Sequence, residues 1–474
     1  MGRQYIEPHM DSTEAMGTRP VGRLLAEFSL PAIGGLLVSS LYNVVDRIFI
    51  GQGTGVNGMA AVTAAWPIMI GSLAIGVLFQ TGARTLAAVT IGKGHKAKAE
   101  EYVSRATGAA FILAAISSAV IWLASESVLR AFGATGAIMA EAKAYTGWIL
   151  LSSPGQAAAM AAGSSLAAEG RPKASFMVQF AGTLVNAVLA PIFIFALGLG
   201  VGGAGLAVAL AQTFSLALTL AYVFQKKSAL KIRLRYLLPE LKPIAELIRV
   251  GLPLFLFQLL TCATFVVANM AVKPYGGELG LAVVGIIVTV AQFLGFPLFG
   301  IITGAQPLWG YNYGAGKWRR IGRISILTFG WTLVLAFVSE LAMVAAPAFF
   351  VSLFSGDPSL AGLGARSLRI FACAFILIPL ELGPVSYFQS TGRSMPAAMA
   401  MILRCFSFIA GMIVLPPLLG FDGVLWAGPL SDALTGVVGI LYGRRMFVEI
   451  KRKAAIEAEA GGMAFPRKHV DRRS

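Results

Sequence analysis

The sequence predicts an all-α polytopic membrane protein, with twelve transmembrane helices in two parallel six-helix repeats related by a pseudo-twofold axis along the membrane normal. Three observations predict it. Hydrophobic residues make up 57% of the 474-residue chain, charged residues 13%, and the mean hydropathy is +0.76, whereas soluble domains carry about 25% charged residues. Twelve segments are apolar over the about 20 residues that a helix needs to cross a bilayer core. The chain also repeats itself at an offset of 222 residues.

Taken in order, the first twenty residues are polar and mixed in charge. They lack the apolar core and small-residue cleavage site of a signal peptide, so segment 1–23 is expected to stay in place on the cytoplasmic side. A first lobe, 24–224, follows, with spans at 24–49, 59–83, 104–124, 142–166, 174–197 and 203–224. Segment 225–247 contains KKSALKIRLRYLLPELKP. It reads equally well as an amphipathic connector on the anionic cytoplasmic leaflet and as an orientation signal alone. The second lobe, 248–445, holds spans at 248–272, 281–305, 323–346, 367–389, 395–419 and 423–445. The tail 446–474 is charged, is interrupted by Gly461-Gly462 and ends in RKHVDRRS, which suits a short cytoplasmic surface helix that frays into disorder.

Lysine and arginine set the orientation, because cytoplasmic connections hold the excess. Thirty of the 38 lie in the two termini or around the loops after helices 2, 4, 6, 8 and 10. Five, Arg130, Lys143, Lys273, Arg366 and Arg369, lie on the opposite side. Both termini are therefore expected in the cytoplasm. The formal net charge of +16 does not indicate nucleic acid, which calls for a basic face with stacking aromatics on a soluble fold. Cys262, Cys373 and Cys405 all fall in apolar segments and form no disulfide framework. His9, His95 and His469 are too scattered for a metal cluster. No grouping of nucleophile, base or metal ligands suggests an enzyme, and no cofactor is implied.

The repeat is visible at several places at once. Leu30-Pro31 matches Leu252-Pro253, Gly58 and Ala60 match Gly280 and Ala282, and Thr81-Gly82-Ala83 matches Thr303-Gly304-Ala305. Gly92 and Gly94 match Gly314 and Gly316, and Gly170-Arg171 matches Gly392-Arg393. Two six-helix halves that each start inside run the same way through the membrane, as in transporters built from parallel repeats.

The first span carries Asp46 deep in LPAIGGLLVSSLYNVVDRIFIG. A carboxylate at a helix centre costs roughly 2.5 to 3.5 kcal/mol on insertion scales, so such acids face a protein interior or a wet cavity. Ion pairing is the blander role, although the adjacent Arg47 points elsewhere on the helix. Tyr42 stands one turn before Asp46 on the same face, and Asn186 lies among apolar residues of helix 5. In the second lobe Glu381 sits in IPLELGP, where Arg404 on helix 11 could neutralise it; Gln258, Asn269, Gln292 and Gln306 add amides. Glu340 and Asp432 rank behind Glu381, with lipid-interface or packing roles preferred.

The stretches VDRIFIG (45–51), NAVLAPIFIFALGLGVGGAGLA (186–207), YGGELGLAVVG (275–285) and GAQPLWGYNYGAG (304–316) resemble the multidrug and toxic compound extrusion family. The similarity covers the whole helical region. It lies closest to the bacterial branch with an acid on helix 1 and none on helix 7, where Thr261 stands here. The resemblance implies a secondary multidrug exporter at the bacterial inner membrane, moving lipophilic, mostly cationic compounds in exchange for protons, or sodium, by alternating access. It implies Asp46, Tyr42 and Asn186 as ion-coupling residues. Glu381, Arg404, Gln258 and Asn269 are a second-lobe site candidate read from the residues alone, a structural Glu381–Arg404 pair being at least as good a reading. Membrane lipids are the other expected partners, and a two-lobed cavity within one chain needs no second copy, so a monomer is expected. The family's helix 5 aspartate is missing, since Ala190 precedes Pro191. The alternative is a flippase of lipid-linked oligosaccharide, which calls for an arginine-rich cavity; the helices offer only Arg84 and Arg404 beyond Arg47.

Overall fold

The computed structural model describes residues 12–132, 134–225, 230–354 and 358–463; the side chains at 12, 42–44, 56, 137, 269, 278, 358–359 and 460–463 also lie outside the described residues. The transmembrane helices are helix 1 (Val21–Gly55), helix 2 (Asn57–Gly92), helix 3 (Lys96–Leu123), helix 4 (Gly136–Ala168), helix 5 (Pro172–Ala196) and helix 6 (Gly200–Phe224) in the first repeat. The second repeat has helix 7 (Leu241–Gly277), helix 8 (Leu279–Gly314), helix 9 (Trp318–Ala345), helix 10 (Leu360–Ser390), helix 11 (Ser394–Leu419) and helix 12 (Phe421–Glu459). Eleven of the twelve are both long and apolar enough to span a membrane. Helix 4, at 33 residues, is long enough, but Ser152, Ser153, Pro154, Gly155 and Gln156 dilute its apolar character. It packs against helices 2, 3 and 6, so its small and polar residues face protein.

The repeat is written into the backbone. Gly55 and Gly277 interrupt the helical path between helices 1 and 2 and between helices 7 and 8, with φ of 66° and 59°. Gly94 and Gly316, Gly170 and Gly392, and Gly198 and Gly420 are three further pairs with positive φ, each at the same offset in both halves. Glycine adopts this region without the Cβ penalty that other residues suffer. The short helices Ser125–Ala131 and Pro347–Ser352 also start at equivalent positions.

At the end of the bundle bearing the turns after helices 2, 4, 8 and 10, here called the basic end, the repeats cross almost backbone on backbone. A Cβ at Gly92 would stand 2.1 Å from the Tyr311 carbonyl oxygen, and one at Gly314 would stand 1.9 Å from that of Val89. These two contacts are symmetry mates of each other, so the pseudo-twofold axis passes between them. Gly82 and Gly251 meet the Leu247 and Leu78 carbonyls in the same way. In the opposite half of the helices the repeats touch through the side chains of Trp66 and Phe265, with ring centroids 5.1 Å apart.

Each repeat also holds the segment that precedes the other end of the chain's crossing. The N-terminal helix Ser12–Thr18 buries Ala15 and Met16, and its last carbonyls are capped from the second repeat. Asn312 donates to Met16 O (3.2 Å), Lys317 to Gly17 O (2.9 Å), and Arg320 to Met16 O and Arg19 O (3.1 and 2.8 Å). Such donors answer the unsatisfied carbonyls of a helix C-terminus. The connector is strapped to helix 3 instead: Arg233 N donates to Ser104 Oγ (2.9 Å) and Arg233 Nε to Glu100 Oε2 (2.6 Å), while Arg105 donates to Leu238 O (3.0 Å). The Glu100 carboxylate pushes the Arg233 guanidinium still further above its ordinary value. Leu230 and Ile232 are buried, whereas Leu234, Leu238 and Leu241 are exposed. The connector is thus tied to helix 3 along one side while Leu234, Leu238 and Leu241 stay exposed on it. At the other end of the chain, helix 12 continues unbroken into the tail, as far as Met463, rather than giving way to a separate surface helix.

Candidate functional site

Among the described residues, each repeat holds a polar region within the bundle. In the first, Asp46 is half-buried on helix 1. Its charge reaches the hydroxyl of Tyr145 on helix 4, which also senses Arg47. Tyr145 is only 1% exposed and belongs to an apolar cluster with Ile50, Ile149, Ala190 and Ile194. Asp46 is thus in electrostatic range of a tyrosine in an apolar cluster that includes Ala190, and Glu141, one turn before Tyr145 on helix 4, brings a second, partly buried carboxylate to that same helix. Sequence reasoning missed Tyr145. A lone tyrosine early in the least apolar span looks like an interface anchor, and only the packing of helix 4 on helices 1 and 2 brings it to Asp46. The side chain of Tyr42 lies outside the described residues.

Asn186 is 4% exposed, and its Oδ1 has no hydrogen-bond partner among the described residues. It lines a cavity of about 550 Å³ bordered by helices 1, 2, 4, 5 and 6. Gln80, Gln156, Gln179, Gln212 and Thr183 share that lining. Gln179 donates to Ser39 Oγ on helix 1 at 2.9 Å. Ser39 is two helical turns before Asp46, so the cavity and the acid share helix 1. The lining is neutral, offering amides and hydroxyls rather than fixed charges.

The second repeat places a charged cluster where the first has this cavity. Arg404 on helix 11 reaches Glu381 Oε2 on helix 10 and Asp432 Oδ1 on helix 12, each at 2.9 Å. Thr435 donates to Glu381 Oε2 at 3.0 Å, and Ser431 donates to Arg404 O at 3.0 Å. Glu381 is 2% exposed and Asp432 9%. Shifted back by the repeat, Glu381, Arg404 and Asp432 fall on Ala159, Gly182 and Leu210. Ala159 and Gly182 line the neutral cavity. Small residues leave the first space open, and an arginine with two acids fills the second.

The pairing of Glu381 with Arg404 agrees with the sequence reading, but Asp432 must be corrected from a packing or lipid-interface residue to a member of this cluster. The physical reason is the turn at Gly420, which lets helix 12 start one residue after it and fold back on helix 11. Helix 10 supplies its acid through a break. After Ala372 the helix gives way to a short turn at Phe375–Leu377 and restarts at Ile378. Glu340 on helix 9 accepts from Ile376 N at 2.8 Å, which satisfies an amide that the break would otherwise leave bare in the membrane. Glu381 then lies in the first turn of the new segment, where the helix dipole favours negative charge. Gln258 is half-buried on helix 7 and is not among the partners of Glu381 or Arg404. The side chain of Asn269 lies outside the described residues. Thr261 donates to its own helix at Phe257 O, 2.7 Å away.

Comparison with known proteins adds three findings. The family model described as MatE matches residues 31–192 and 253–416, one stretch in each repeat. Multidrug export protein MepA of Staphylococcus aureus is 24% identical over 424 residues, covering 89% of this chain and 93% of its own. The protein of the same name from Staphylococcus haemolyticus is 25% identical over 439 residues, covering 92% and 97%. Among solved structures, an outward-facing multidrug resistance MATE family transporter of the MOP superfamily superposes with a TM-score of 0.86 at 22% identity, covering 94% of this chain and all of that one. A MOP superfamily transporter from Pyrococcus furiosus, described as having a binding pocket of reverse polarity, superposes with a TM-score of 0.84 at 23% identity over the same shares.

Proposed function

This chain belongs to the MatE family, and from that premise we propose that it is a secondary multidrug exporter of the bacterial inner membrane, both termini cytoplasmic, acting as a monomer on small lipophilic cations. The names of the curated relatives support the export reading, and the excess of Lys and Arg at one end supports the orientation. The observation that carries the mechanism is Asp46, a half-buried acid of helix 1 with a buried tyrosine hydroxyl in electrostatic range.

A carboxylate next to an apolar wall takes up a proton when it is desolvated and gives it up when it is wetted or faces a cation. One proton entering from outside neutralises Asp46, and a cationic drug entering from inside competes for the same negative charge. Each cannot be held while the other is bound, which makes the site an exchanger. Sodium is the poorer coupling ion here, since a cage for a hard cation needs several oxygen ligands and Ala190 removes one candidate. Two kinds of contact between the repeats support an alternating-access reading. The Trp66–Phe265 contact parts by side-chain motion, whereas the glycine crossings at the basic end require the backbones to separate. The flippase reading is the weaker one, because Arg404 is already engaged by two carboxylates.

The proposal is tested in cells stripped of their own exporters. Expression of the wild-type chain is expected to lower the accumulation of a fluorescent cation such as ethidium, and Asp46→Asn, expressed at equal membrane levels, is expected to restore it. Equal efflux by the two proteins removes Asp46 from the mechanism; no efflux by either removes the exporter reading.

A further inference from the structure

A second cavity, of about 540 Å³, opens at the basic end between the N-terminal strap and the start of helix 5. Its walls come from the N-terminal strap, helix 1 and the first-repeat segment around the Gly170 turn, with Tyr222 of helix 6. Arg19 belongs to the strap that Arg320 and Lys317 hold on the second repeat, whereas Arg171 and Lys173 flank the Gly170 turn of the first. Against these three cations the lining supplies one carboxylate, Glu27. Glu27 is already taken by Arg23 at 3.0 Å, and Arg19 reaches it only at 3.8 Å. Arg171 contacts Glu169 at 3.4 Å and lies over the Tyr222 ring. Lys173 is exposed and makes no ion pair or hydrogen bond among the described residues. The remaining walls are apolar, notably Leu24, Phe28 and Met177.

From this geometry we infer that the cavity is a binding site for the phosphate headgroup of an anionic lipid, whose acyl chain runs along helix 5. Surplus cations at a membrane interface attract such headgroups. The apolar continuation identifies the source as a lipid rather than a free phosphate. Met177 is followed along helix 5 by Phe180, Leu184 and Val188, all exposed and spaced at 3 or 4 residues, so they form one apolar stripe leading away from the headgroup cavity. A lipid bound there bridges the strap on the second repeat to the Gly170 turn of the first. It therefore holds the basic end closed. This inference does not depend on what the protein exports.

Native mass spectrometry of the detergent-purified full chain tests it, titrating phosphatidylglycerol, phosphatidylcholine and soluble glycerol phosphate separately. The wild type is expected to bind one phosphatidylglycerol in preference to phosphatidylcholine, with no comparable binding of glycerol phosphate. Arg19→Gln with Lys173→Gln is expected to weaken that lipid by about 30-fold. Lys173→Gln alone, which breaks no interaction of the fold, is expected to weaken it by about fivefold, and Lys143→Gln at the opposite end leaves it unchanged. Equal phosphatidylglycerol binding by the wild type and Lys173→Gln overturns the inference, as does equal affinity for phosphatidylcholine. Binding of glycerol phosphate as tight as that of the lipid overturns the lipid source.

Discussion

Arg404 holds two buried carboxylates at 2.9 Å each, so its removal leaves two uncompensated acids inside a membrane protein. Breaking a buried pair in this way costs about 3 to 5 kcal/mol, and Arg404→Ala is expected to lower the thermal unfolding midpoint in detergent sharply. Replacing the whole cluster, Glu381→Gln with Arg404→Met and Asp432→Asn, is expected to recover much of that loss, because no charge then stays unpaired. A triple variant as unstable as Arg404→Ala contradicts this reading of the cluster. In the first repeat, Tyr145→Phe removes a hydroxyl and leaves the ring, so it is expected to shift the pH dependence of drug efflux while the protein folds normally; an unchanged pH profile separates Tyr145 from Asp46. At this scale the sequence reveals acids more readily than their partners. Asp46 and Glu381 stand out because a carboxylate in an apolar run is expensive wherever it points. Asp432 and Tyr145 do not, since their significance comes from which helix folds against them, and that is decided by the Gly420 turn and the packing of helix 4.

Helices 2 and 8 cross where only hydrogen fits. With a Cβ at position 92 or 314 placed about 2 Å from a carbonyl oxygen, Gly92→Ala and Gly314→Ala are expected to force the basic ends apart. Spin labels at Lys96 and Arg323, both exposed, report that separation, and a distance distribution unchanged by either substitution contradicts it. The broken helix 10 makes a second case. Glu340→Leu strips the acceptor from Ile376 N, and leaving a buried amide unpaired costs about 1 to 3 kcal/mol, measurable as a lowered unfolding midpoint. Eleven of the twelve spans are legible because apolar length is the physical requirement for crossing a bilayer; helix 4, diluted by Ser152 to Gln156, meets only the length. Their ends are less so: helix 12 runs past the expected residue 445 as far as Met463, since a helix that leaves the membrane loses its apolar signal but keeps its hydrogen bonds. The connector is harder still. Its leucines and basic residues suit a leaflet, yet Leu230, Ile232 and the partners of Arg233 tie it to helix 3.

On the scale of the whole molecule, the two halves share a backbone plan and differ in what fills it. Four pairs of positive-φ glycines keep the same offset, and the glycine crossings of helices 2 and 8 mirror one another. Repeats built alike can exchange roles around a central axis, which suits a protein that opens first to one side and then to the other. The fillings have diverged: a neutral cavity beside Asp46 in one half, and the Glu381, Arg404 and Asp432 cluster in the other. In the proposed exchange cycle Arg404 keeps both of its acids engaged, and Asp46 is the group that trades a proton for a cationic drug. Purified protein in liposomes, carrying a fluorescent cation under imposed proton or sodium gradients, gives the most direct measurement. The expected result is transport by the wild type driven by the proton gradient and abolished by Asp46→Asn. Gradient-driven transport that persists in Asp46→Asn would contradict it.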